Sequence, residues 1–446
     1  MVIFRERCCI EYSVKKTAMS KTMLAILLAF LAASSFQLPD TGYNKNIAAA
    51  LVNATVKHRI DSTLRTFIDS GKTAGVSALV FEKGKEVYYN AFGYADREAK
   101  IPMDRNTIVR IFSMTKPITG TALMTLYEKG AFQLDDPLSK YAPEFTNMKV
   151  YRGVDASGQL IMEPAKRLIT IRDITRHTAG FAGTDIPGLA DLVRKADVMN
   201  PANTLREMAK RLAALPLQFE PGTQWAYGPS VDVQAYLVEL LSGKPFDQYL
   251  KETIFDPLKM EHTRYLVAEN NRPYFAALYN RSDEGILSRA PDGQANSFNT
   301  KDWSLKPGGW GLTSTLDDYM TFTQMLVNGG RLGNTRILKP GTIQLMATNQ
   351  LSDTISKRMW LPGKGRVGFG IDFAVRTQPP ATREENNGAV GEFFWDGAAS
   401  TLFWVDPAHD LTAVLFTQLM PFDRVKLHKR FRDAIYGVYE PAPGAR

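Results

Sequence analysis

Apolar residues recur along the chain with two spacings, one typical of helices and the other of strands. The helical spacing, with apolar residues three and four positions apart, predicts helices within residues 46–70, 111–130, 201–215, 231–241, 308–330 and 424–439. Short apolar or alternating runs bounded by turn residues predict strands at 75–81, 86–92, 367–375, 390–395, 401–405 and 411–418. The last helix should bury Leu427, Phe431, Ile435 and Val438. Residues 253–306, rich in Asn, Arg and Pro, are expected to form long loops.

The order of these elements predicts an α/β protein of the α+β type. A helix and a hairpin come first, helices follow, and strands with a final helix end the chain. We therefore expect both ends of the chain to share one antiparallel sheet flanked by helices, with a helical insertion domain between them. The predicted boundaries are 45–112 and 303–440 for the two parts of the α/β domain, and 113–302 for the mostly helical domain.

Residues 1–35 have the pattern of a secretory signal peptide. Three lysines precede an apolar run over 23–33, and the small residues Ala33, Ser34 and Ser35 follow it. The run is too short for a stable membrane span, so we expect export and removal of this segment, with a permanent anchor as the alternative. Met1 and Met19 are both possible starts. Both cysteines, Cys8 and Cys9, would be removed with the signal.

The composition narrows the classes of function. Lys and Arg number 54 against 46 Asp and Glu, a net charge of +8, but the basic residues are scattered and form no stripe with aromatic residues. We therefore expect no nucleic-acid partner. The five histidines lie far apart without metal-ligand spacing, so no metal or other cofactor is expected. His177 is interpreted as a structural turn residue and Lys364 as a loop lysine.

Ser113 and Lys116 are the first candidates for chemistry. Residues three apart share a helix face, so the hydroxyl and the ammonium can be neighbours. Pro117 fits a helix only near its start. Ser113 would therefore lie at a helix N-terminus beside a base, which is how a weak nucleophile is activated. Ser-x-x-Lys alone is a weak signal, because a helix-start serine beside a solvated lysine has the same sequence.

Two further segments carry candidate residues. Tyr227 lies in a Gly-Pro turn just before the helix predicted at 231–241, and an ammonium beside it would favour its phenolate form. Gly397, in the segment Phe-Phe-Trp-Asp-Gly-Ala-Ala over 393–399, would let a strand approach another group closely. Each also has a purely structural interpretation: Tyr227 could be a core tyrosine, and Gly397 could belong to a tight turn between strands.

Together these segments resemble the serine β-lactamase and penicillin-binding-protein superfamily. The chain is most similar to the class C branch and to the family VIII carboxylesterases, over about residues 75–418. Shorter matching stretches lie at 92–95, 134–138, 169–173, 177–180 and 311–315. The resemblance implies a β-lactamase/D,D-peptidase-like fold.

The resemblance also implies a role for each candidate. Ser113 would attack an acyl carbon, with Lys116 and Tyr227 sharing the general-base role. Tyr227 would return the proton to the leaving group. The backbone N–H groups of Ser113 and Ala398 would form the oxyanion hole, and water would then hydrolyse the acyl-enzyme.

Departures from the family pattern point to the substrate. The Lys-[Thr/Ser]-Gly triplet that grips a substrate carboxylate in β-lactamases is replaced by Trp395, Asp396 and Gly397, and Pro229 replaces the asparagine of the class C Tyr-x-Asn motif. Trp395, Asp396 and Gly397 are the candidate substrate-binding residues. Without the carboxylate grip, and with an added acid, the site should bind anionic substrates poorly. An aromatic wall at Trp395 suits a neutral group, so a carboxylesterase acting on small, short-chain esters is predicted.

Two alternatives remain. One is a β-lactamase or D,D-peptidase that acts on amides, which would need a carboxylate-binding cation from another position. The other is a catalytically silent binding protein on the same scaffold. An ordinary α/β-hydrolase is disfavoured because no Gly-x-Ser-x-Gly elbow occurs in the sequence.

Overall fold

The computed structural model describes residues 50–184 and 186–441. Residues 50–441 belong to one compact unit, which spans Ala48–Arg446. The predicted signal peptide, its cysteines, the two possible start methionines and the first residues of the helix predicted at 46–70 lie outside the described residues. Export therefore stays a prediction. No helix within the described ranges is long and apolar enough to cross a membrane.

The fold is organised around an eight-stranded sheet in which neighbouring strands run antiparallel. In chain order its strands are β1 (Gly75–Glu82), β2 (Lys85–Asp96), β3 (Ile101–Pro102), β4 (Val367–Phe369), β5 (Ala374–Arg376), β6 (Phe393–Asp396), β7 (Leu402–Asp406) and β8 (Leu411–Phe416). Their order across the sheet is β4-β5-β6-β7-β8-β1-β2-β3. All the residues of β6, β7 and β8 are buried, as expected for strands covered on both faces.

The two ends of the chain meet in the middle of this sheet. Strand β1 pairs with β8 from Ser77 opposite Phe416 to Glu82 opposite Leu411. The prediction that both ends share one antiparallel sheet is therefore confirmed. The domain boundaries drawn from the sequence at 113 and 303 stay predictions.

Five longer helices pack on the sheet or beside it. They are α1 (Ala54–Asp69), α2 (Thr115–Glu128), α3 (Ser230–Ser242), α4 (Leu316–Val327) and α5 (Leu427–Tyr436). Helices α1 and α5 pack together, and Arg59 Nε donates a 2.6 Å hydrogen bond to the Ala434 carbonyl. Helix α4 contacts β1, β7 and β8, while α2 and α3 pack against each other. Helix α2 carries Lys116, and α3 begins three residues after Tyr227.

Shorter elements complete the described part of the chain. The remaining helices are Ile171–Thr175, Ala190–Ala196, Leu205–Ala213, Phe246–Leu250, Asp256–Leu258, Asp292–Ala295, Ser297–Thr300 and Pro340–Met346, with a π-helical turn at Lys251–Phe255. Short 3₁₀ turns occur at Phe112–Met114, Leu138–Lys140, Pro143–Phe145, Glu269–Tyr274 and Leu361–Lys364. The minor strand pairs are Val109–Arg110 with Thr313–Ser314, Lys149–Val154 with Leu160–Pro164, and Arg331–Leu332 with Thr335–Arg336. Tyr279–Arg281 pairs with both Leu287–Arg289 and Leu419–Met420.

Some local predictions were wrong. The strand predicted at 367–375 is two strands, β4 and β5, because the chain turns at Gly370, where a Cβ would lie 2.0 Å from the Met346 carbonyl. The last helix ends at Tyr436, so Val438 is 44% exposed and not part of the core. Residues 253–306 contain short helices and strands in place of long loops. Helix α2 is buried on every side from Thr115 to Leu126, whereas the sequence predicted one apolar face.

Candidate active site

Ser113 lies in a tightly held turn just before α2. It is the middle residue of the 3₁₀ turn Phe112–Met114, and its side chain is half-buried. Phe112 has a φ of +43°, a region that non-glycine residues rarely adopt. The turn is held by a 3.1 Å bond from the Ile111 N–H to the Leu312 carbonyl and a 2.8 Å bond from the Tyr319 hydroxyl to the Met114 carbonyl. These bonds hold the backbone on both sides of Ser113, and a strained backbone is typical of functional turns.

Lys116 lies in the first turn of α2 and reaches the serine directly. Its side chain is buried, and Nζ lies 3.3 Å from Ser113 Oγ. Nζ also donates to the Gly309 carbonyl at 2.6 Å and lies 4.4 Å from the centre of the Tyr227 ring. The structure therefore brings together the three residues Ser113, Lys116 and Tyr227. The Lys116 ammonium is thus within hydrogen-bond distance of the Ser113 hydroxyl.

Tyr227 belongs to an aromatic layer that forms one wall of the site. Its ring centre lies 5.6 Å from that of Trp395, 5.1 Å from Trp360 and 4.8 Å from His177. Trp395, the first of the predicted substrate-binding residues, is almost fully buried. This layer gives the site a large aromatic face.

His177 packs beneath Tyr227. Its backbone is left-handed with a φ of +58°, as suits a turn, and neither ring nitrogen has a hydrogen-bond partner among the described residues. Burial, with the nearby Lys116 charge, lowers the pKa of His177 well below its usual value, so the ring is neutral. Its place in the site is that of an aromatic packing residue.

Asp232 is a buried acid that the sequence interpretation missed. It lies in the first turn of α3, and its Oδ1 accepts a 2.9 Å hydrogen bond from the Gly309 N–H. A Cβ on Gly309 would lie 3.0 Å from Asp232 Oδ2 and 3.3 Å from Lys116 Nζ, so both charged groups approach this one glycine. Burial raises the pKa of Asp232 to about 6, while the Lys116 charge acts in the opposite direction. The signal in the sequence was an ionisable residue within an apolar helix, five residues after Tyr227.

A second buried acid, Asp372, lies against α2. A Cβ on Gly120 would lie 2.5 Å from Asp372 Oδ2, and Gln234 Nε2 donates to Oδ1 at 3.0 Å. Burial raises the pKa of Asp372 well above its ordinary value, against the effects of Gln234 and Lys116. The neutral acid is therefore favoured, and this carboxyl acts as a packing and hydrogen-bonding group.

Gly397 allows the end of β6 to touch the chain just before the serine. A Cβ at this position would lie 2.5 Å from the Ile111 carbonyl oxygen and 2.2 Å from Thr401 Oγ1. Ala398 follows and is half-buried. This close approach is what an oxyanion hole formed by the Ser113 and Ala398 amides requires. That assignment, like the roles of the other site residues, stays a prediction.

Asp396 carries its charge beside a lysine. Lys364, at the end of the 3₁₀ turn Leu361–Lys364, forms an ion pair with Asp396, and the two side chains are only 10% and 11% exposed. The interpretation of Lys364 as a loop lysine did not include this ion pair. The two residues are 32 positions apart, so no local pattern connects them. The acid added at Asp396 is compensated by a cation.

Metal ligands do not cluster in the described part of the chain. Among those residues, no group of three or more His, Cys, Asp and Glu side chains could hold a metal ion.

Comparison with known proteins agrees with the geometry of the fold. Residues 60–436 match the Beta-lactamase family. The Mycobacterium tuberculosis protein Rv1367c is 32% identical over 366 residues, which cover 81% of this chain and 89% of that protein. Esterase EstB of Burkholderia gladioli is 28% identical over 409 residues, covering 87% of this chain and 97% of EstB.

A solved structure extends the comparison. The structure described as EstCE1, a hydrolase with promiscuous acyltransferase activity, has a TM-score of 0.69 and 26% identity, and the match covers 86% of this chain and 99% of EstCE1. The resemblance inferred from the motifs is confirmed. Since the family match spans most of the sequence and the antiparallel sheet flanked by helices agrees with it, this chain belongs to the beta-lactamase family and has the fold of its serine hydrolases.

Proposed function

We propose that this protein is a serine carboxylesterase that cleaves small, neutral, short-chain esters through an acyl-enzyme on Ser113. The observation that carries the proposal is the cluster of Ser113 Oγ, Lys116 Nζ and the Tyr227 ring beside the aromatic wall at Trp395. The esterase EstB and the hydrolase EstCE1 support it, since the match to each covers most of this chain.

In the proposed reaction, Ser113 Oγ attacks the ester carbonyl carbon as its proton passes to the Lys116 and Tyr227 pair. The carbonyl oxygen becomes an oxyanion beside the amides of Ser113 and Ala398. When the tetrahedral intermediate collapses, the bond to the alcohol oxygen breaks and Tyr227 delivers the proton to that oxygen. A water molecule then attacks the acyl-enzyme by the same steps, which releases the acid and restores Ser113.

Substrate charge separates this proposal from the amide-hydrolase alternative. The alternative requires a cation for the carboxylate of a β-lactam or a peptide, and Lys364 is a cation from another part of the chain. Its ammonium is paired with Asp396 and surrounded by protein, however. A neutral ester needs no such cation, and the aromatic wall suits its apolar groups.

Initial rates on two chromogenic substrates test the proposal. Purified protein and Ser113→Ala are assayed on p-nitrophenyl butyrate and on a chromogenic cephalosporin. We expect butyrate ester cleavage with little cephalosporin turnover, and loss of the ester activity in Ser113→Ala by about 10³-fold or more. Preference for the cephalosporin would overturn the esterase assignment, and failure to cleave either substrate would favour the silent binding protein.

A further inference from the structure

The ion pair of Lys364 and Asp396 lies next to the proposed site without taking part in its chemistry. Asp396 is the last residue of β6, between Trp395 and Gly397, and Lys364 reaches it from the turn Leu361–Lys364. Each residue is 8% exposed, so water screens the pair only weakly. Because Asp396 directly precedes Gly397, the pair lies beside the predicted oxyanion hole.

Three aromatic rings surround the Lys364 ammonium. Nζ lies 5.0 Å from the ring centre of Trp395, 5.2 Å from Trp360 and 4.8 Å from Phe422. Trp395 and Trp360 are also the rings that pack against Tyr227. The ammonium is thus one aromatic layer away from Tyr227, close enough for its charge to act on a bound substrate.

Pairing determines the field that this ammonium presents to a substrate. With Asp396 ionised, the pair is neutral overall, and it neither attracts nor repels an anionic group strongly. Without the carboxylate, a weakly screened ammonium would favour a negatively charged substrate group. Without the ammonium, the carboxylate would repel such a group.

We propose that Asp396 is a specificity-determining residue that neutralises the Lys364 charge, so that the site does not attract substrate carboxylates. The substrate class of the site would then be neutral esters because of this pair, and the loss of the acid would leave an unpaired ammonium whose charge favours a carboxylate in the site. The inference rests on the proposed esterase function and specifies its substrate class.

The test compares two esters of equal acyl length, neutral p-nitrophenyl butyrate and anionic mono-p-nitrophenyl succinate. The variants are Asp396→Asn, Asp396→Thr, Lys364→Met and the double variant Asp396→Asn/Lys364→Met. Either substitution of Asp396 should raise the ratio of kcat/KM for succinate over butyrate by about tenfold or more. The double variant should return the ratio to the wild-type value, and Lys364→Met alone should lower it. Thermal unfolding identifies which variants are folded. If Asp396→Asn does not fold, Asp396→Thr replaces it in the comparison, because threonine is well suited to a strand.

A binding measurement keeps the inference separate from the esterase assignment. Calorimetric titration with glutarate measures binding without turnover. Glutarate should bind Asp396→Asn about tenfold more tightly than it binds wild type. The neutral dimethyl ester of glutarate should bind the two proteins with the same affinity. If wild type cleaves neither ester yet glutarate binding changes as stated, the esterase proposal fails and the role of the pair stands. Folded Asp396 variants with wild-type substrate ratios and wild-type glutarate affinity would overturn the inference.

Discussion

Asp232 shows how one buried side chain connects stability with the proposed chemistry. Its carboxyl faces the peptide of Gly309, and the carbonyl of that same residue accepts the hydrogen bond from Lys116. An ionised Asp232 places a negative charge near Lys116, one of the pair that takes up the serine proton in the proposed reaction. The carboxylate should therefore assist the reaction even though its burial disfavours ionisation.

Substituting Asp232→Asn should separate these two effects. Because burial raises the pKa of Asp232 to about 6, its contribution to stability is greatest below the unfolded value of about 4 and is lost as the pH rises through 6. Wild type and the variant should thus have similar free energies of unfolding at pH 4. At pH 7.5 the variant should be more stable by up to about 3 kcal/mol.

Its activity should change in the opposite direction. Wild-type kcat/KM should rise between about pH 5 and 7 as Asp232 ionises, whereas Asp232→Asn should lack this rise and be at least about tenfold less active at pH 7.5. Asp318→Asn is a matched control, since Asp318 is also a buried first-turn acid but bonds to His262 and Thr263. A wild-type pH profile in Asp232→Asn would show that the carboxylate has no role in turnover.

At the scale of elements, the contact between β6 and the serine turn is what assembles the site. The strand reaches this turn only because Gly397 has no side chain, since a Cβ there would lie 2.5 Å from the Ile111 carbonyl oxygen. The pairing of β6 with β7 from Phe393 opposite Val405 to Asp396 opposite Leu402 holds the strand in register. A shift at its end would move the Ala398 amide.

Gly397→Ala should therefore reduce catalysis more than stability. The displaced strand end should lower kcat by about 100-fold or more, with a smaller change in KM, because a misplaced oxyanion donor affects the transition state most. Gly341→Ala in the helix Pro340–Met346 is the control, because a Cβ there meets no atom within 4 Å. Initial-rate kinetics and thermal unfolding of both variants provide the comparison, and wild-type kcat in Gly397→Ala would argue against an oxyanion hole at this contact.

The sequence predicted elements better than it predicted contacts. The helices carrying Lys116 and Asp232 and the strand before Gly397 could be recognised because each has its own local spacing of apolar residues. The shared sheet followed from the order of the elements. The ion pair of Lys364 with Asp396 and the approach of Asp232 to Gly309 join distant segments, so no local pattern reveals them. The turn that separates β4 from β5 was missed because Gly370 is needed there for contact with Met346. This contact joins residues that are distant in the sequence, so it leaves no local pattern.

At the scale of the whole molecule, the candidate site draws on three distant parts of the chain. Helix α2 supplies Lys116, and the segment before α3 supplies Tyr227. Strand β6 supplies Trp395, and the turn after this strand contains the Ala398 amide. The sheet that joins the two chain ends holds β6 in place through β7 and β8, which pairs with β1. Loss of this sheet would therefore separate the groups that the proposed reaction needs.

The central claim is that Ser113 carries the acyl group during ester cleavage, and trapping that intermediate tests it most directly. The protein is mixed with p-nitrophenyl butyrate, quenched in acid within the first turnovers and analysed by intact-protein and peptide mass spectrometry. The account predicts one butyryl group per chain, located on Ser113 and absent from Ser113→Ala. Ester cleavage that persists in Ser113→Ala, or a butyryl group on another residue, would contradict it.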